Sequence, residues 1–323
     1  MLRTAPSGVF RAAPIELLVA SEHEPADRPR ATADLHRVRH RVYAASARWQ
    51  ALAPWDRYLA RVHAVALIRP GAVFCHESAA ALLGLPVFGE PRDIHVFDVG
   101  APSTHRVGDV VRHTSRIAPT VITCNGIRAT APADTASALA RMLPPAFGLA
   151  VVDAAISPRQ CALTTLTEIE QVRLRTVDPR GIRRHDWILS AASTDPESVG
   201  ESVSRAVISW LGFAPPRLQH EFRLEGCTDR VDFWWPDCGV AGESDGYGKY
   251  DPSDPAAAHR ALTQEKRRED RLRRHVRGFA RWDWSDAMRA APLERALEHA
   301  GVPRVAPAQR LMLATLRGNR RSL

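Results

Sequence analysis

Arg230-Val231-Asp232-Phe233-Trp234-Trp235-Pro236-Asp237-Cys238-Gly239-Val240-Ala241-Gly242-Glu243-Ser244-Asp245-Gly246 is the stretch that decides how this chain is read. Apolar and aromatic residues alternate with others up to a Pro-Asp-Cys-Gly turn, and a second short strand follows, which is the pattern of a β-hairpin. With the turn over 236–239, Trp235 pairs with Val240, and counting back sets Asp232 opposite Glu243. The period of two then places Asp245 on the face of Glu243. Directly opposed side chains sit about 4.5–5.5 Å apart at Cβ, and like charges there are destabilising. A divalent cation between them removes the repulsion, so the three carboxylates read as a hard-metal site. The same register sets Arg230 opposite Asp245, which leaves a plain cross-strand ion pair as the alternative. Trp234 shares the acidic face and reads as a packing residue, Asp237 as a turn former, and Gly246 as the residue that lets the strand end turn sharply.

Two helices flank the hairpin in sequence. The first is expected to take Asp195 as N-cap and Pro196 in its first turn, and to stop at Gly212. Its apolar face is Val199, Val203, Ala206, Val207 and Trp210, and Glu201 falls almost opposite, where a glutamate is ordinarily solvated. The second carries Ala258, Ala261, Leu262, Glu265, Glu269, Leu272 and Val276 at helical spacing. Glu265 and Glu269 thus lie on the inward stripe and need partners, which could be neighbours of Lys266, arginines from the sheet, or the metal site. For Glu269 a salt-bridge network is the favoured reading.

As a set, Asp232 and Glu243-Ser244-Asp245-Gly246 resemble the D…(E/D)-x-K core of PD-(D/E)xK nucleases, in the Vsr-like variant in which E-x-D-G replaces E-x-K. The resemblance spans 195–286 and includes 197–202 on a helix, Gln219 on the first strand, 265–269 on a later helix and Arg281-Trp282-Asp283-Trp284. It implies a restriction-endonuclease-like sandwich, a mixed sheet with flanking helices. It also implies Mg2+ (or Mn2+) held by Asp232, Glu243 and Asp245, with Glu201 at the edge of the shell and Gln219 and Glu265 in support. The metal in that family activates water for attack on a phosphodiester. Only two of the 44 basic residues are lysines, Lys249 and Lys266, and both fall in this region. In an arginine-rich chain a lysine persists best where a compact ammonium is needed. Either could replace the missing E-x-K lysine.

The earlier part of the chain reads differently. Residues 35–43, if extended, line Arg37, Arg39 and Arg41 along one face, like a wing resting on phosphates. A short helix is expected around Ile15, another over 56–68, then a helix at Cys75-His76-Glu77-Ser78-Ala79-Ala80 stopped by Gly84 and Pro86, and a strand at Ile94-His95-Val96-Phe97. Residues 74–86 and 125–134 are similar to the AbiEi-type antitoxin architecture, in which a winged helix precedes a small α/β domain. His76 and Glu77, with no second ligand at metal spacing, read as helix-start residues. The segment from 132 to 189 is mostly helical. The expected organisation is an incomplete winged helix over 1–70, an AbiEi-like α/β domain with a helical extension over 71–190, a nuclease-like domain over 191–290 and a basic C-terminal tail over 291–323. The fold class is α/β in the α+β sense.

Composition limits the function classes. Five scattered cysteines without a C-x-x-C pair argue for reduced thiols, a cytoplasmic setting and no structural zinc. No apolar run is long enough to span a membrane, and no glycine-rich phosphate loop or nucleophile elbow points to an organic cofactor or acyl transfer. The net charge is +8, and nine basic residues against three acidic ones lie between Arg260 and Arg281. A helix carrying Arg267, Arg268 and Arg271 beside carboxylates suits a phosphate backbone, so DNA is the expected partner, with a second copy or a toxin as further candidates. The leading expectation is a Mg2+-dependent DNA endonuclease. The alternative is a DNA-binding antitoxin or regulator whose nuclease fold is degenerate, and a third reading has the carboxylates making only salt bridges.

Overall fold

The computed structural model describes residues 3–4, 10–20, 34–100, 102–245, 255–319 and 321–322, with the side chains of its longest helix described from Thr263 onward. The fold is α+β, in two units. One comprises residues 1–143, 161–190 and 319–323, the other 144–160 and 191–318.

The first unit opens with strands β1 (Arg3–Thr4), β2 (Leu18–Val19), β3 (Leu35–Arg39) and β4 (Val42–Ala45), then helices α1 (Ser46–Ala51) and α2 (Pro54–Ile68). Strand β5 (Val73–Phe74), helix α3 (His76–Leu83) and strands β6 (Ile94–Phe97), β7 (His105–Val107), β8 (Val110–His113), β9 (Val121–Cys124) and β10 (Ile127–Thr130) follow, and α4 (Pro132–Met142) closes the run. Proline at the start of α2 and of α4 supplies a preset φ where no amide donor is needed. Gly84, left-handed, ends α3. The main sheet runs β1-β9-β10-β5-β6-β8-β7, and a small sheet runs β2-β4-β3. Tyr58, Leu59, Val62 and Val65 of α2 and Ala79, Ala81 and Leu82 of α3 meet Phe74, Ile94, Val96, Val110 and Ala129 of the sheet in one core.

Two expectations for this unit need correcting. Residues around Ile15 form no helix; the chain there leads into β2. Residues 35–43 are not one strand but a hairpin, because Arg41 adopts φ +67° in the turn and the β3–β4 register shifts between Arg37 and Arg39. The alternation that would have aligned Arg37, Arg39 and Arg41 is therefore broken.

The second unit begins with α5 (Pro145–Ile156) and, beyond α6 (Leu166–Arg175) and α7 (Ile182–Ala191), continues with α8 (Val199–Trp210), β11 (Arg217–Leu224), β12 (Cys227–Trp235), β13 (Val240–Asp245), α9 (Pro255–His275) and β14 (Gly278–Asp283). Helices α10 (Trp284–Arg289), α11 (Ala291–Ala300) and α12 (Arg310–Ala314) complete it. Its sheet is ordered β11-β12-β13-β14. The first three strands are antiparallel neighbours, and β14 returns parallel to β13 after the α9 crossover. The N-cap of α8 is Ser198 rather than Asp195: its hydroxyl accepts from Glu201 N–H at 3.1 Å.

The hairpin register is the expected one for Trp235 with Val240, Trp234 with Ala241 and Phe233 with Gly242, where the ladder ends, so the expected pairs Asp232–Glu243 and Arg230–Asp245 do not form. Gly239 takes φ +68° in the turn, a conformation a side chain resists. The β11–β12 ladder lapses where Gln219, at φ +53°, faces Asp232. Either side of that point the strand serves different neighbours. Val231 joins Leu272 of α9, whereas Phe233 lies against Trp282.

Candidate functional site

The acidic residues of the hairpin converge, and so do arginines. Past the last ladder pair, Asp232 accepts the Ser244 N–H through its carboxylate at 2.9 Å, replacing a backbone acceptor. Glu243, 5 % exposed, pairs with Arg268 of α9 at 2.6 Å. Asp245 is gripped by Arg281 of β14 through a two-pronged contact, Nε to Oδ2 at 2.6 Å and Nη2 to Oδ1 at 2.7 Å. Arg281 also donates to Glu269 at 2.6 Å, and Arg268 to Glu265 at 2.9 Å. Four carboxylates from β13 and α9 thus surround two guanidiniums, each planar fork matched to carboxylate geometry.

Burial raises the Glu243 carboxyl above its ordinary value; Arg268 pulls the other way, and the neighbouring Asp232 and Glu265 push up again. Burial also opposes charge on Arg268, but hydrogen bonds and attraction from Glu265 and Glu243 outweigh it, so its pKa is raised. As arranged, the donor set does not fit magnesium. Both oxygens of Asp245 are committed to Arg281, and the cluster already holds two cations. A hard dication needs several open oxygens at about 2.0–2.1 Å, and here the guanidiniums engage them.

The other residues singled out in the sequence have definite places. Glu201 is buried, although its wheel position is polar. It sits in the first turn of α8, where the carboxylate folds back to accept from Glu197 N–H at 2.9 Å, Ser198 Oγ at 2.8 Å and Gln219 Nε2 at 2.7 Å. Burial raises its carboxyl, against those three hydrogen bonds. A wheel describes the middle of a helix; in the first turn, unpaired amides decide. Gln219 and Glu201 therefore meet each other, not Arg268 or Arg281. Lys266 and Arg267 are exposed, and Arg271 holds the buried Asp229 through two bonds of 2.6 Å. Arg230 pairs with Glu197 at 2.5 Å, not with Asp245. Lys249 and Gly246 lie outside the described residues. In the first unit Arg37 is exposed, Arg39 makes a two-pronged contact with Asp109 at 2.7 and 2.9 Å, and Arg41 approaches the Ala20 carbonyl at 3.4 Å.

His76 and Glu77, read above as helix-start residues, are joined by side chains from distant strands. Glu77 is buried and paired with Arg321, and its carboxylate lies 3.4 Å from His95 Nε2. Burial alone would raise the Glu77 carboxyl, but Arg321 and His95 bring it below its ordinary value. His113 is held down to about 4, mainly by desolvation and then by the nearby His95 and Arg321. The sequence signal for this grouping was weak: His95 and His113 stand on β6 and β8, separated from His76 by 19 and 37 positions.

Comparison with known proteins finds a match over part of the chain. Residues 72–184 match the family model of the AbiEi antitoxin C-terminal domain. The match takes in residues 74–86 and 125–134, on which the antitoxin-like resemblance was read. Uncharacterised proteins of two Mycobacterium tuberculosis strains are each 36 % identical over 173 residues, 53 % of this chain and 62 % of theirs. This chain thus covers less than two thirds of the length of those relatives. No solved structure matches. Among the described residues no helix is long and apolar enough to cross a membrane.

Proposed function

We propose that this protein is a DNA-binding regulator of antitoxin type whose second unit has a nuclease-like arrangement silenced by its own arginines. The antitoxin-domain match over 72–184 carries this reading. The saturation of Glu243 and Asp245 by Arg268 and Arg281 supports the silent half. A net charge of +8, with Arg37, Lys266 and Arg267 exposed, supports contact with a polyanion. The antitoxin kinship also makes a toxin protein a candidate partner.

The test is fluorescence anisotropy with DNA from upstream of the protein's own gene and with unrelated DNA, across a salt series. Binding that tightens on the upstream DNA and weakens steeply with salt is expected, together with intact plasmid after incubation with Mg2+ or Mn2+. Arg37→Ala and Arg267→Ala should each flatten the salt dependence by about one counterion. No salt-sensitive binding to either DNA removes the proposal.

One observation favours a second reading, a metal-dependent endonuclease: the order α8, β11, β12, β13, α9, β14 brings Asp232, Glu243 and Asp245 together at one sheet end. That activity requires Arg268 and Arg281 to leave the carboxylates. Plasmid nicking that disappears in Asp232→Ala and in Glu243→Ala would replace the regulator with the enzyme.

A further inference from the structure

Three elements of the antitoxin-like unit bring a thiol and three imidazoles together. Cys75 and His76 lie at the start of α3, His95 on β6 and His113 at the end of β8. Cys75, His76 and His113 can each offer a donor atom such that all three lie within 4.8 Å of one another. The Cys75 sulfur is 3.1 Å from His76 Nδ1, and the His76 and His113 rings are 4.2 Å apart at their centroids. Cys75 is 3 % exposed and His95 4 %, so this is not a chance meeting of surface side chains.

Behind these donors stands a chain of polar contacts. His95 Nδ1 lies 2.9 Å from His113 Nε2, and His95 Nε2 faces Glu77. Arg321 Nη2 also lies 3.2 Å from His95 Nε2 and can only donate, so in the metal-free arrangement that nitrogen accepts and His95 Nδ1–H donates to His113 Nε2. A metal on His113 Nδ1 requires the opposite tautomer, with the His95 proton on Nε2 towards Glu77, 3.4 Å away, and His113 Nε2–H donating to His95 Nδ1. A carboxylate-oriented histidine behind a ligand is the arrangement that fixes ring orientation and raises ligand basicity at metal sites. Arg321 neutralises Glu77, so the group as a whole stays uncharged until the thiol ionises. His76 adopts φ +51°, unfavourable for a side-chain-bearing residue by about 1–3 kcal/mol, and such strain gathers where a side chain must be aimed.

We propose that Cys75, His76 and His113 form a binding site for a thiophilic divalent cation, zinc by preference, with His95 as the residue that orients His113. One sulfur and two nitrogen donors suit a tetrahedral d10 ion, with water in the fourth position. Zn–S near 2.3 Å and Zn–N near 2.0–2.1 Å put tetrahedral donors about 3.3–3.6 Å apart, so closure asks for about 1 Å of ring movement. Binding converts the Cys75 thiol to a thiolate and releases its proton to solvent, leaving the zinc with one S–Zn bond and two N–Zn bonds. The absence of a C-x-x-C pair does not count against this site. Spacing rules describe ligands that share one loop, whereas these come from a helix start and a distant strand.

The test uses the full chain, stripped by chelator and reloaded with Zn2+ or Co2+. About one equivalent of zinc should bind per chain, and cobalt should give tetrahedral d–d bands with a thiolate charge-transfer band. Cys75→Ser should abolish the charge-transfer band, and His113→Gln should lose the stoichiometric zinc. His95→Gln should retain the spectrum but weaken binding about 10- to 100-fold, the effect expected of an orienting partner. Cys227→Ser, which removes an exposed cysteine outside the cluster, should change nothing. Wild-type protein that takes up less than about a tenth of an equivalent overturns the proposal, as does a thiolate band that survives Cys75→Ser or vanishes in Cys227→Ser. Should Cys75→Ser fail to fold, the wild-type spectrum and Cys227→Ser still decide.

Discussion

Replacing Arg268 with methionine tests whether arginine is what makes the buried carboxylates tolerable. Methionine keeps most of the apolar stem and removes the charge. The side chain of Glu243 is 7 % exposed and that of Arg268 24 %, so the pair lies between a buried and a surface ion pair. Breaking a buried pair costs about 3–5 kcal/mol and an exposed one under about 1, which puts this change at about 2–3 kcal/mol near pH 7.5. The pH dependence supplies the sharper check. The Glu243 carboxyl already lies above its ordinary 4.5, and removing Arg268 takes away an influence that lowers it. A carboxyl raised in the folded state binds more protons folded than unfolded, so stability falls as pH rises between the two pKa values. The penalty is complete above the folded value and vanishes below about 4.5, hence the deficit should shrink by about 1 kcal/mol or more between pH 7.5 and pH 5.0. Urea unfolding followed by tryptophan emission reads this well, because Trp210, Trp234, Trp235, Trp282 and Trp284 all lie in the second unit. In a Glu243→Gln background the same substitution should cost markedly less, since the charge left unpaired is gone. A deficit below about 0.5 kcal/mol at pH 7.5, or one that does not move with pH, would refute the reasoning.

Two further outcomes follow from the same unit. Gly242→Ala places a Cβ 2.9 Å from the Trp282 ring and 3.0 Å from Trp235, so overpacking should cost about 1–3 kcal/mol in the same urea assay. Asp153→Ala removes the fully buried carboxylate that holds Arg205 at 2.8 Å and the Ser193 N–H at 2.9 Å, and should cost about 3 kcal/mol; Asp153→Asn, which keeps an acceptor, should cost less.

Much of the second unit was legible because its determinants are local. The Pro-Asp-Cys-Gly turn fixes the register of its two strands, so the pairing of Trp235 with Val240 could be counted directly. Helical spacing put Glu265 and Glu269 on an inward stripe and required partners for them, and Arg281 of the sheet supplies one. The salt-bridge reading of Glu269 agrees with its contacts to Arg273 and Arg281. Arg230 went elsewhere because the β12–β13 ladder ends at Phe233 and Gly242, before Arg230 and Asp245 could face each other. A break of that kind has no local signature in the strand itself.

By itself the sequence determined the α+β class, most helices and strands, and the hairpin register next to the turn. Those follow from turn chemistry, periodicity and capping, all short-range properties of the chain. Tertiary structure alone decided what neutralises the carboxylates, since Arg268 and Arg281 reach them only once α9 has crossed over and β14 has paired parallel to β13. It alone also assembled Cys75, His76, His95 and His113, whose separations in sequence carry no ligand spacing. Which charges meet, and which lone pairs converge, depends on how strands are ordered in the sheet, and no local rule encodes that order.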